Sequence, residues 1–257
     1  MRAVFISDVH LIRATDERHQ KLMRFFDALE AGKIQKLVHP ESPADEKVFI
    51  DELYILGDLF DFWFCETGNI YPDFQPVIAK LVALKKAGTA IHLGEGNHDF
   101  FLAEYFRDLL GMDVFEESAT LKLDDTKVFV AHGDQADRTN RSYLLFRNFL
   151  RSRFFYRTQR KIPASWRWAI ASWSSNASKK MTRENGEALV EKMLPFAMEK
   201  FQEGHDVVIL GHSHVPQERR FTINQKRKTL ITLGDWITHH SFLYYHHNAF
   251  FLRHYRS

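Results

Sequence analysis

Cysteine is nearly missing from this chain: Cys65 is the only one, which excludes an internal disulfide. It sits beside the aromatic run FDFWF and reads as a small buried hydrophobe rather than a catalytic thiol. Long apolar runs are missing too. None approaches the roughly 18 residues of a membrane-spanning helix, which points to a cytoplasmic protein, at most peripheral to the inner face of the cell membrane. The first strand-like run, RAVFIS, leads directly into Asp8, so no removable leader is expected. There is no internal repeat and no low-complexity tract. Acid is absent from one long stretch: between Arg138 and Arg183 there are twelve Lys or Arg and no Asp or Glu.

What is present is ordinary globular material, 45% apolar and 26% charged over 257 residues, enough for one sizeable core. We expect a single domain over residues 1–257, with a basic helical cap insert at 138–200. The net charge of +2 conceals a segregation, because removing the twelve cations of the insert leaves 23 basic against 33 acidic residues. Within the insert, YLLFRNFLRSRFFY and IPASWRWAIASW mix aromatics and leucines with arginines at helical spacing. Two readings stand. The insert is either a solvated basic face on packing helices, or a platform for an anionic, apolar-tailed partner, since Arg forks bind phosphate and Trp, Phe and Leu suit acyl chains or a membrane interface.

Along the chain, short β-branched or aromatic runs alternate with helical patterns. RAVFIS precedes a stretch whose Leu22, Phe25, Phe26 and Leu29 share a helical face; ELYILG precedes a helix around Val77 to Lys86; TAIHLG precedes one near Leu102 to Leu110. That alternation predicts βαβ units with parallel strands. From Thr120 onward the runs LKLDD, TKVFVAH, DVVILGH, QERRFTI, KTLITLG, SFLYYHH and NAFFLRHY predict a more antiparallel arrangement. The fold class is α/β, with two facing mixed β-sheets flanked by helices and a helical cap. The polar stretch HPESPADEK at 39–47 reads as a flexible surface loop.

Five short segments follow apolar strands and carry metal-binding side chains: DVH from Asp8, GDLFD from Gly57, GNHD from Gly96, HGD from His132 and GHSH from Gly211. Strand ends are where ligands gather in open α/β sheets. The segments offer Asp8, His10, Asp58, Asn97, His132, His212 and His214. Carboxylate, imidazole and amide ligands without thiolate suit Mn²⁺, Zn²⁺ or Fe²⁺, and Asp58, with two oxygens, is the natural bridge between two divalent cations. Two such ions about 3.5 to 4 Å apart clamp a phosphoryl group and lower the pKa of a water toward about 7. His39, His92, His205, His246, His247 and His254 fit loop or strand surfaces. His239 and His240 follow the GDW of Gly234 to Trp236 and are placed to approach the site, and Asp61 has a supporting role open to it.

The order of these blocks resembles the calcineurin-like metallophosphoesterase superfamily, in which DxH, GDxxD, GNHD/E, H and GHxH recur. The resemblance spans Asp8 to about Trp236. It implies that Asp8, His10, Asp58 and His214 bind one metal and Asp58, Asn97, His132 and His212 a second, most readily Mn²⁺. It also implies that His98 faces the scissile phosphate as a charge stabiliser or acid while Asp99 orients its ring; the plainer alternative is that His98 only supports the ligands. Every ligand position is filled, which disfavours a metal-free binding scaffold.

ISDVHL, YILGDLFDFW, GNHDFFL, HGD, GHSHVP and LGDW further resemble the UDP-2,3-diacylglucosamine pyrophosphatases of lipid A synthesis. That narrower likeness implies hydrolysis of a UDP-linked acylated sugar at a membrane surface. Asn97, His98, Asn140, Tyr143, Ser172, Asn176, Lys179 and His212 would contact the substrate. This chain departs from it with GNHD where well-known members have GNRD, and with Asn140 where they often have Asp. The alternative is therefore a soluble metallophosphodiesterase or phosphatase acting on nucleotides or other phosphoesters. Nucleic acid is not the expected partner, and the oligomeric state is left open.

Overall fold

In the computed structural model, residues 1–43, 46–63, 69–159 and 186–256 are described. Strand β1 (Arg2–Ile6) is paired in parallel with β2 (Glu52–Leu56), and β2 with β3 (Ala90–Gly94) and β3 with β4 (Asp113–Phe115) likewise. On the other side of β1, β10 (Ser241–His246) and β11 (Ala249–His254) add antiparallel, giving a six-stranded sheet in the order β11-β10-β1-β2-β3-β4. The second sheet has five strands in the order β5-β6-β7-β9-β8: β5 (Ser118–Leu123), β6 (Thr126–Ala131), β7 (Val207–Leu210), β9 (Lys226–Leu233) and β8 (Pro216–Ile223).

The expected parallel first half is present. The second half is less antiparallel than its sequence suggests, because β7 runs parallel to both β6 and β9. The reason is the intervening helix α7 (Gly186–Gln202), which crosses over the sheet and returns the chain in the same direction.

Period-two alternation explains the layering. Val4 and Ile6 of β1 face α1 (Glu17–Glu30) and α3 (Gln75–Lys86), where they join Leu22, Phe25, Phe26 and Leu81 in one apolar cluster. Ala3 and Phe5, one residue out of phase, face the second sheet and meet Val128, Val130, Ile209 and Ile231. The far face of that sheet, with Phe129, Val208 and Leu210, packs on Met193, Phe196 and Ala197 of α7. The result is helix, sheet, sheet, helix.

Short elements depart from expectation. The helix anticipated near Leu102 to Leu110 is only Ala103–Phe106 (α4), followed by turns, and a five-residue helix, Ile34–Val38 (α2), and the three-residue β4 are additional. The aromatic run after β2 goes inward: Phe60, Phe62 and Trp63 pack with Phe74 and Phe106. Cys65 lies outside the described residues, as do 160–185. Two helices of the basic stretch are described, α5 (Arg141–Leu150) and α6 (Arg153–Gln159). No helix among the described residues is long and apolar enough to cross a membrane.

Candidate metal centre

All five motif segments leave the carboxyl ends of parallel strands, β1, β2 and β3 in one sheet and β6 and β7 in the other, so both sheets empty their polar residues into one crevice. The loops are stitched to one another through the backbone. The amides of Val9 and His10 both donate to the Asp58 carbonyl at 2.8 Å, Gly211 donates to the His132 carbonyl at 2.8 Å, and His98 donates to Asp58 Oδ1 at 2.9 Å.

Asp8, His10, Asp58, His212 and His214 all adopt left-handed φ between 52° and 63°. This region costs a non-glycine residue energy and is held only where surrounding contacts demand it. Here it turns the side chains back toward the crevice. At Gly96 and Gly211 the backbone passes so close to the Asp58 and Asp8 carboxylates that a Cβ would collide with them.

The inward atoms converge. Asp58 Oδ2 is 3.5 Å from both His10 Nε2 and His132 Nε2; Asp8 Oδ1 is 3.5 Å from His214 Nε2; His132 Nε2 is 2.9 Å from Asn97 Oδ1. The outward nitrogens face oxygens: His132 Nδ1 is hydrogen-bonded to the Leu56 carbonyl at 2.9 Å, while His10 Nδ1 lies 3.2 Å from the Asp61 carboxylate and His214 Nδ1 3.4 Å from that of Asp235. Three sets of potential ligand atoms each fall within 4.8 Å: Asp8, His10 and His214; Asp8, Asp58 and His132; and His10, Asp61 and His98. His212 lies alongside, its ring 5.1 Å from that of His132.

This donor set fits divalent cations. Asp8 Oδ1 and His10 Nε2 are buried with no hydrogen-bond partner among the described residues, which is costly for polar atoms unless something cationic meets them. Burial pushes the Asp8 carboxyl up to about 6 and holds the His132 and His212 imidazoles down, to about 3 and about 4. Neutral imidazoles are the ligating form. A cation between these groups would supply the positive charge that burial otherwise denies the carboxylates.

The hydrogen bonds described for the Asp99 carboxylate go to backbone amides. Asp99 is fully buried, and its carboxylate accepts from the backbone amides of Asp58, Gly96 and Phe60 at 2.8, 3.0 and 3.1 Å, pinning the Asp58 loop to the GNHD loop. The His98 ring is held by the Asp61 carbonyl, 3.1 Å from Nδ1, and meets the His10 ring edge-on at 4.8 Å. Asn140 is the N-cap of α5, its Oδ1 accepting from the Tyr143 amide at 3.2 Å. The Tyr143 ring faces that of His212 at 6.3 Å. Ser172, Asn176 and Lys179 lie outside the described residues.

Sequence reasoning missed the groups that hold helix α5 to the crevice. Arg147 of α5 is buried against Asp134 of the HGD segment, with Nε donating at 2.5 Å, and forks onto Glu117 at 3.1 and 2.9 Å. One turn on, Arg151 donates to the Gly96 carbonyl at 2.7 Å and to the Glu116 carbonyl at 2.8 Å, beside the buried Glu95. The i,i+4 spacing of the two arginines was a usable signal for one helix face. Their distant acidic partners carried none.

The sequence profile of the calcineurin-like phosphoesterase family matches residues 1–216. A UDP-2,3-diacylglucosamine hydrolase of Hamiltonella defensa is 30% identical over 84% of this chain and 78% of its own length. Proteins of the same name from Aeromonas salmonicida and Nitrosococcus oceani are 26% and 28% identical, over 95% and 92% of this chain and 89% and 88% of theirs. With that profile spanning the crevice and the strands that build it, the chain belongs to the calcineurin-like phosphoesterase family and is a metal-dependent hydrolase of phosphoric esters or anhydrides.

Proposed function

We propose that this hydrolase cleaves the diphosphate of UDP-2,3-diacylglucosamine, giving UMP and 2,3-diacylglucosamine 1-phosphate, a step of lipid A biosynthesis. The observation that carries the reading is the likeness to proteins named for that substrate along 84 to 95% of the chain. The crevice is compatible with it. In this reading Asp8, His10, Asp58 and His214 hold one cation, and Asp58, Asn97, His132 and His212 a second, with Mn²⁺ the best match to the donors. When bound, such ions stabilise charge on the phosphoryl oxygens and make water a competent nucleophile near neutral pH.

The chain's own residues do the rest. Asp58, facing two imidazoles at 3.5 Å, keeps the two halves of the crevice in register. His98, fixed through Nδ1, presents Nε2 to a leaving oxygen or to developing charge. Tyr143 borders the pocket for the sugar nucleotide, and Ser172, Asn176 and Lys179 are assigned to the polar part of the substrate by resemblance.

Peripheral binding to the inner membrane surface fits the described cap helices. Leu145, Phe146, Phe149 and Phe154 are each more than half exposed, and Arg141 and Arg157 are exposed on the same two helices. One departure favours a second reading: His98 stands where the resembled family has arginine, and a soluble phosphodiesterase would not need that cation.

The test is hydrolysis of UDP-2,3-diacylglucosamine with Mn²⁺, products read by mass spectrometry. UMP and the acylated sugar 1-phosphate are expected. Equal turnover of the same nucleotide sugar without acyl chains would transfer the assignment to the soluble enzyme.

A further inference from the structure

Asp235 lies 21 residues beyond His214 in sequence and is 2% exposed, yet no motif-based ligand set includes it. It follows β9, whose end is a tight turn. Gly234 at φ 77° approaches Ser241 and Pro216 too closely for a Cβ, and the Ser241 hydroxyl ties back to the Leu233 carbonyl at 2.6 Å. The turn fixes the carboxylate completely on one side. Its Oδ1 accepts from the amides of Ile237, Thr238 and His239 at 3.1, 2.7 and 2.9 Å, while Oδ2 faces His214 Nδ1 at 3.4 Å. The next residue, Trp236, donates its amide to the Asp8 carbonyl at 3.0 Å, so the same turn braces a second group of the crevice.

An ionised carboxylate only accepts hydrogen bonds, so it favours the His214 tautomer whose proton is on the nitrogen that faces it. In neutral imidazole the other nitrogen, Nε2, is then a lone pair. That atom stands 3.5 Å from Asp8 Oδ1, and the ring stacks on His10 at 5.2 Å and 13°. Two acceptors facing each other in a buried site repel unless a cation lies between them. We propose that Asp235 is a positioning residue that sets the tautomer of His214, keeping Nε2 unprotonated and aimed into the crevice. This rests on the reading that His214 is a metal ligand. Acceptors on the outer nitrogens of ligating histidines commonly act in this way.

Asp235→Asn is the informative change. The amide oxygen can keep the three backbone donors, but the NH₂ group then faces His214 Nδ1. Nδ1 must become the acceptor, and the proton moves to Nε2, where it blocks ligation. Two measurements decide the matter. Long-range ¹⁵N–¹H spectra of metal-free wild-type protein, with His214 assigned by its loss in His214→Ala, should show the Nδ1–H tautomer. Titration calorimetry with Mn²⁺ should show one class of site weakened roughly 10- to 100-fold in Asp235→Asn, the range seen when outer partners of metal ligands are changed.

An Nε2–H tautomer in the wild type overturns the proposal, and that spectrum needs no mutant to fold. So does a folded Asp235→Asn protein, by thermal melting, that binds Mn²⁺ like the wild type. Undiminished Mn²⁺ binding by His214→Ala would overturn the ligand assignment itself, and with it the proposal. Loss in His214→Ala but not in Asp235→Asn overturns only the role of Asp235.

Discussion

His98 is the residue at which the motif spelling and the geometry must be weighed together. Its amide holds Asp58 Oδ1 at 2.9 Å and its ring is fixed through the Asp61 carbonyl, so it has a backbone task as well as an imidazole aimed at the crevice. It also falls within 4.8 Å of His10 and Asp61, close enough to compete as a ligand. His98→Ala keeps the amide and removes the ring. We expect bound Mn²⁺, measured by elemental analysis, to be retained while turnover falls by roughly 10², the scale of a positioned acid or charge stabiliser. A loss of metal in step with rate would make His98 a ligand instead. At this scale the seven candidate ligands were legible because each follows an apolar run within a few residues. Their outer partners were not: Asp235 meets His214 only because two β-strands, β8 and β9, return the chain, and the Asp99 carboxylate serves backbone amides that no spelling reveals.

Helix α5 shows how an element can contradict its own composition. The insert reads as a block of surplus positive charge, but three of its described arginines have acidic partners: Arg138 pairs with Glu199 of α7 at the surface, while Arg147 is taken by Asp134 and Glu117, and Arg151 by Glu95. Arg147 and Arg151 lie one turn apart and latch the helix to the loops that carry His132 and Asn97. That latch holds Tyr143 beside His212.

Removing one member of a buried pair leaves the other charge unsolvated. Arg147→Met should therefore destabilise the protein by about 3 kcal/mol, near the lower end for broken buried pairs because Glu117 is half exposed and can rehydrate. The shift in denaturant midpoint at constant slope measures it; no shift would mean that α5 is not anchored there. The strands were readable as short β-branched or aromatic runs, and α1 and α3 as the helical patterns that follow them. Strand β4 has three residues and α4 four, too few to display any period, and the parallel placement of β7 depended on a crossover that hydrophobic pattern alone does not encode.

For the molecule as a whole, gathering acids and histidines into one buried crevice ties the stability of the metal-free protein to pH. Burial pushes Asp8 up to about 6 and Asp99 and Glu95 up to about 7, and it raises Asp58 as well. In the unfolded chain these groups ionise near about 4. Above about pH 4 these carboxyls thus hold protons in the folded metal-free protein that they lack in the unfolded one. Below about pH 6.5 the buried histidines oppose this, since His10, His132 and His212 are held neutral in the folded chain and take up protons when it unfolds. Between about pH 6.5 and 7 the unfolded histidines have lost that proton, the raised carboxylates still hold theirs, and stability of the metal-free protein falls as pH rises, by up to about 1.4 kcal/mol per pH unit for each such carboxyl. Chelator-treated protein should therefore show a lower urea midpoint at about pH 8 than at about pH 6.5. Mn²⁺ should reverse the difference, because a cation stabilises the ionised carboxylates and displaces their protons. Calorimetry in buffers of different ionisation enthalpy gives the independent check, with more protons released per Mn²⁺ bound at pH 6 than at pH 8. A metal-free midpoint that rises from about pH 6.5 to 8, or equal proton release at both pH values, would mean that these carboxylates are already ionised in the folded chain and that the crevice does not depend on a cation for its charge balance.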